Sequence, residues 1–129
     1  MDANLVTRFL VTAFFAVTFL QSGLDKVIDR ESNLQYLSEH FQSTPLSPWV
    51  PQLLTAITVL ELIAGGLCGL GLLLLDFRQP GMRVAGWGVG MSGIALLCLL
   101  FGQRLAKDYA GAAVVAAYFA VVLLGLRAF

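Results

Sequence analysis

Residues 51–75 read PQLLTAITVLELIAGGLCGLGLLLL, 25 positions of which Glu61 alone is charged. A helix needs about 20 mostly apolar residues, rising 1.5 Å each, to cross a hydrocarbon core of about 30 Å. This stretch is long enough, and it is apolar around its whole circumference, unlike the one-sided stripe of a soluble amphipathic helix. Within lipid an open chain satisfies its backbone hydrogen bonds only as a helix. The stretch therefore predicts a membrane-crossing helix with one carboxyl group near its middle.

Outward from it, residues 5–24, 84–101 and 105–126 meet the same test, and no run alternates as a barrel strand would. The fold class is all-α: one domain over residues 1–129, a bundle of four transmembrane helices with spans at about 5–24, 51–75, 84–101 and 105–126. Composition agrees. Hydrophobic side chains make up 58% of the 129 residues and charged ones 12%, with a mean hydropathy of +0.82. A soluble domain carries about a quarter charged residues, and a small one has too much surface to clothe with 16 of them. Lys+Arg and Asp+Glu balance at 8 each. That removes the electrostatic case for nucleic acid or for a lipid-binding basic tail. The first span has no small-residue cleavage motif, the chain continuing Phe19-Leu20-Gln21-Ser22-Gly23, and reads as retained.

The connections are unequal. Residues 76–81 form a short turn ending in Pro80-Gly81, and Gly102-Gln103-Arg104 joins the last two spans. Only the segment 25–50 is long. Leu34, Leu37 and Phe41 are spaced i, i+3, i+7 within it, predicting a short interfacial helix. Trp49 suits a membrane boundary, and Pro51 suits the first turn of the second span. With the termini inside, Lys and Arg count 4 on each side, a tie under the positive-inside rule. The acids of the long loop (Asp25, Asp29, Glu31, Glu39) favour that loop outside and the termini in the cytoplasm.

Glu61 is the most informative residue. An ionised side chain at mid-span costs on the order of 2.5–3.5 kcal/mol on insertion scales. It must face the bundle and find a partner or a proton. Two roles fit: a proton-handling or ligand-contacting carboxyl, or a polar tie between helices. It lies about ten residues, or roughly 15 Å, from the loop end of its span. Thr18, Gln21 and Ser22 share that half, Lys26 ends the first span, and Arg104 and Asp108 flank the last turn. The opposite half offers Arg8, which can snorkel to the interface. Convergence of Glu61, Lys26, Arg104, Asp108 and Gln21 would build a polar pocket roofed by the interfacial helix.

Small residues mark expected packing faces: Gly65 and Gly69 on Glu61's own face, Gly86 and Gly90 on the third span, and Ala112, Ala116 and Ala120 on the fourth. Such faces let lipid-embedded helices approach closely, within the bundle or against another subunit. Cys68 and Cys98 differ in depth by roughly 10 Å, too far for a disulfide, and read as small buried fillers. His40 lacks neighbours at ligand spacing, and no span carries a histidine for haem, so no metal or covalently held cofactor is expected. Tyr118, at mid-span, needs a partner if buried and is a candidate to line a cavity.

The stretch Phe19-Leu20-Gln21-Ser22-Gly23-Leu24-Asp25-Lys26 resembles the end of the first helix in the DoxX-like family of small four-span prokaryotic membrane proteins. Glu61-Leu62-Ile63-Ala64-Gly65-Gly66, followed by Leu70-Gly71, is similar to that family's second-helix signature. Gly102, Arg104 and Asp108 resemble its polar element before the fourth helix. The likeness spans the layout of the chain but only about a dozen motif positions. It implies a role near membrane redox chemistry, since some relatives are linked to thiosulfate oxidation that passes electrons to quinone and others to redox-defence assemblies. It points to Lys26, Glu61, Arg104 and Asp108.

The expected function is a non-catalytic subunit of a larger redox-related complex in a prokaryotic inner membrane, with lipid and other integral membrane subunits as partners. One alternative is a component of a thiosulfate:quinone-type oxidoreductase, with Glu61 and Arg104 near a quinone. Another is a small transporter or proton path through Glu61, although broken helices and paired repeats, the marks of transporters, are missing from the sequence.

Overall fold

The computed structural model describes residues 2–75 and 79–129. Five α-helices follow one another: α1 (Ala3–Ile28), α2 (Arg30–His40), α3 (Val50–Leu74), α4 (Gln79–Leu105) and α5 (Tyr109–Leu126), with a 3-10 turn (Ser47–Trp49) before α3. Four of them are long and apolar enough to cross a membrane. The four-helix bundle and the extra helix in the first loop are thus as the sequence predicts.

Local chemistry sets the boundaries. The Asp2 side chain accepts from the Asn4 amide to cap α1. The α1–α2 break falls at Asp29, whose backbone leaves the helical region. Asn33 Nδ2 bridges the break by donating to the Asp29 carbonyl at 2.9 Å and to Asp25 Oδ2 at 3.1 Å. Pro48 and Pro51 lie in the opening turns of the next two elements, where a missing N–H costs nothing.

The final turn is shifted from its expected place. α4 runs on through Gly102-Gln103-Arg104 to Leu105, and the chain reverses at residues 106–108. Lys107 takes φ 59°, the left-handed conformation that ends helices. Asp108 Oδ1 then accepts from the Gly111 amide at 2.9 Å. The last span therefore starts at 109, because aspartate is a strong N-cap and leaves the preceding residues to α4. Of the expected turn at 76–81, residues 79–81 open α4 and 76–78 lie outside the described residues.

The spans alternate in direction. α3 occupies the centre, packed along its length on α1 on one side and α4 on the other, while α5 packs mainly on α4. Backbones approach closely. A Cβ at Gly65 would stand 2.7 Å from the Leu20 nitrogen, and one at Gly88 would stand 2.6 Å from the Cys68 nitrogen. Phe15, Phe19, Ala64, Cys68, Val89 and Leu96 fill the core. Polar residues inside the spans bond locally: the hydroxyls of Thr12, Thr18 and Thr58 each donate to the carbonyl four residues earlier.

Only some of the expected packing faces lie within the bundle. Gly65 is a tight contact, but a Cβ at Gly90 would meet nothing, those at Gly69 and Gly86 only ordinary neighbours, and Ala116 and Ala120 are exposed. Ala112 is buried. Gly23, Gly71, Gly81, Gly88, Gly111 and Gly125 are further close approaches among the spans. Where a helix is apolar all round, spacing alone does not say which side meets a neighbour. Cys68 is buried, but Cys98 is exposed, and both are free thiols.

At the end opposite the long loop, Arg8 closes the bundle. Its Nε donates to the Ala128 carbonyl, Nη1 meets Met82 Sδ at 3.3 Å, and the guanidinium lies 5.8 Å from the centre of the Phe129 ring.

Candidate functional site

At the loop end α1 and α3 are joined by charge. Lys26 Nζ stands 2.9 Å from Glu61 Oε1. Glu61 is 2% exposed, and Lys26 reaches it from the last turn of α1. The ammonium lies off the axis of a hydrogen bond to Oε1, which is buried without an aligned donor. The directed bond from Nζ goes instead to Ser22 Oγ, 2.7 Å away. The lysine thus balances the charge of the carboxylate while leaving acceptor capacity on Oε1.

Lys26 also reaches the wall of a cavity of about 560 Å³ enclosed by α2, α3 and α4. Its body is apolar, built from residues such as Ile57, Leu60, Leu97 and Leu99. Leu53, Leu97, Cys98 and Phe101 are exposed along it, so it is open on an apolar outer side of the bundle. Polar groups gather at one end, under α2: Lys26, Asn33, Tyr36, His40 and Gln103.

α2 forms the roof, and its half-buried face is Asn33, Leu34, Leu37 and His40, continued by Phe41. The i, i+3, i+7 stripe seen in the sequence therefore does turn inward. Polar contacts hold both ends of this helix. At its start, Arg30 donates to the Pro51 carbonyl at 3.0 Å and to Thr55 Oγ1 at 2.8 Å. At its end, His40 Nε2 lies 2.7 Å from Gln103 Oε1 and 3.9 Å from Asp108 Oδ2, with the Tyr36 ring stacked on its imidazole. Beyond it the Phe41 ring lies against Gly102, where a Cβ would come within 3.2 Å.

The five expected polar residues do not form one cluster. Lys26 and Glu61 meet. Asp108 caps α5 and faces His40. Arg104 is exposed and lies over the Tyr109 ring, 4.8 Å from its centre. Gln21 is exposed on α1. Depth alone put these residues at one end of the bundle, but helix rotation sends Arg104 and Gln21 outward. Tyr118 packs edge-on against Phe14 instead of lining the cavity. His40 and Gln103 are the site residues that sequence reasoning passed over. The signal for His40 was its position in register with Leu37 and Phe41. Among the described residues no group of His, Cys, Asp and Glu could hold a metal ion.

Comparison with protein-family models, curated proteins and solved structures finds no match for this chain. The DoxX-like resemblance rests on the letters of residues 19–26, 61–71 and 102–108.

Proposed function

We propose that this protein is an accessory membrane subunit that holds a lipid-soluble amphiphile in the cavity beneath α2. The cavity carries the reading. Small-molecule sites are concave, mostly apolar spaces of about 300–1,000 Å³ with a few convergent polar groups. This one has that size, and Lys26, His40 and Gln103 stand at its polar end. A ligand reaching it from the bilayer keeps its tail among leucines and places an acceptor-bearing head at the membrane boundary. The resemblance to DoxX-like proteins supports a redox setting, in which a quinone ring, with two carbonyl acceptors, is a head group of this kind. The same resemblance supports a prokaryotic inner membrane, and the acids Asp25, Asp29, Glu31 and Glu39 support the 25–50 loop outside and the termini in the cytoplasm.

Mass spectrometry of the protein, released from its own membrane in mild detergent, tests this. We expect a stoichiometric small amphiphile that organic solvent extracts, together with companion membrane polypeptides. A bare 13.9 kDa chain with neither would overturn the proposal.

A further inference from the structure

Two basic side chains reach the cavity wall, Lys26 and His40, and each is already engaged within the protein. Lys26 Nζ stands 2.9 Å from Glu61 Oε1 and donates to Ser22 Oγ at 2.7 Å. His40 Nε2 lies 2.7 Å from Gln103 Oε1 and 3.9 Å from Asp108 Oδ2. Both side chains are only 16% exposed, which leaves little of either to meet the charge of a ligand. Asn33, also on the wall, commits both hydrogens of Nδ2 to Asp25 Oδ2 and the Asp29 carbonyl. The rest of the wall is mostly apolar, and among the described residues no Asp or Glu lines it.

We infer that the cavity selects an amphiphile with an uncharged head group, a single chain ending in a hydroxyl or carbonyl. This rests on the reading of the cavity as an amphiphile site, and it names the ligand class. An anionic head would find Lys26 and His40 turned to partners of their own. A cationic head would find no carboxylate on the wall. Either ion would lie against apolar side chains without a counter-charge, and burying an unpaired charge costs far more than burying a neutral oxygen function. Pairing inside the protein thus takes the charge out of the wall. A hydroxyl or carbonyl needs one hydrogen bond, and Tyr36 brings a phenolic hydroxyl to the polar end.

Cys98 supplies the readout. It is exposed and lines the cavity, whereas Cys68 is buried and out of reach. The rate at which a maleimide alkylates Cys98 is measured in a neutral detergent against rising mole fractions of hexadecanol, hexadecyl sulfate and hexadecyltrimethylammonium. The three share one chain, and the two ions keep their charge at every pH. We expect hexadecanol to protect Cys98 at about one-tenth of the mole fraction that either ion needs, because an unpaired buried charge costs at least the equivalent of about tenfold in affinity. Glu61→Gln leaves the Lys26 ammonium without its carboxylate, so it should narrow the gap to the sulfate and not the gap to the ammonium ion. A sulfate gap left at full width by that variant would overturn the role given to the Lys26–Glu61 pair. Protection by either ion as strong as that by hexadecanol in the unaltered protein would overturn the uncharged head group while leaving the amphiphile site standing. Protection by none of the three would overturn both. The wild-type comparison decides the question even if the variant fails to insert.

Discussion

Lys26 on α1 and Glu61 on α3 meet at 2.9 Å in a bundle whose spans hold few other charges, and this contact ties the first span to the central one. Removing one partner of a buried pair leaves an uncompensated charge, a change typically worth about 3–5 kcal/mol. Lys26→Met should therefore lower stability by about 3 kcal/mol in mixed-micelle unfolding. The double variant Lys26→Met/Glu61→Leu should recover most of the loss, since apolar replacement of a whole buried pair is often neutral. Additive losses in the double-mutant cycle would mean that the two side chains do not interact.

The α3–α4 seam depends on glycine where the backbones touch. A Cβ at Gly88 would stand 2.6 Å from the Cys68 nitrogen, and the backbone cannot yield as a flexible side chain would. Gly88→Ala should cost about 1–3 kcal/mol, the usual price of overpacking. Gly90→Ala, two residues along, meets open space and should be neutral or stabilising by up to about 1 kcal/mol through helix propensity. Thermal unfolding of the two variants in one detergent checks this contrast.

The opposite end of the bundle rests on Arg8. Its guanidinium serves the Ala128 carbonyl, Met82 and the Phe129 ring together. Arg8→Ala should cost about 1.5–3 kcal/mol, the range for hydrogen bonds to charged groups. Arg8→Lys should restore only part of it, because an ammonium lacks the planar fork that reaches several partners. Hydrogen exchange should show the loss in the last turn of α5, while α2 stays as it was.

α2 should open more readily than the spans. None of its residues is fully buried, and polar contacts hold its ends. His40→Ala removes the bond to Gln103 and the stacking with Tyr36. Exchange of the α2 amides should quicken by about fivefold, the equivalent of about 1 kcal/mol. Exchange at its present rate would show that the Arg30 bonds and the Phe41–Gly102 contact hold the roof without His40.

The fold is legible in the sequence because lipid imposes a length and a polarity that four stretches meet. The Glu61 carboxyl is legible as a buried group for the same reason: leaving it in hydrocarbon costs too much. Its partner lay among a handful of residues sharing its depth, and Lys26 was one of them. Rotation about each helix axis is what the letters withhold. Arg104 and Gln21 sit at the right depth on the wrong side, and the glycines at 71, 88 and 125 make contacts that equally spaced glycines at 69, 86 and 90 do not. A helix apolar on every face has no moment to point its contacts inward, so only the packed neighbours settle the matter. The cavity was beyond reach for a related reason, since α2, α3 and α4 enclose it only once their rotations are fixed.

Filling the cavity should displace whatever it holds. Ala56 lines it from α3, whereas Ala113 lies on the exposed face of α5, away from it. Ala56→Trp and Ala113→Trp are to be purified from the native membrane beside the unaltered protein and the extracted small molecules weighed against protein. We expect Ala56→Trp to insert normally but lose its bound amphiphile while Ala113→Trp keeps it. An amphiphile retained at full stoichiometry by Ala56→Trp would contradict the account.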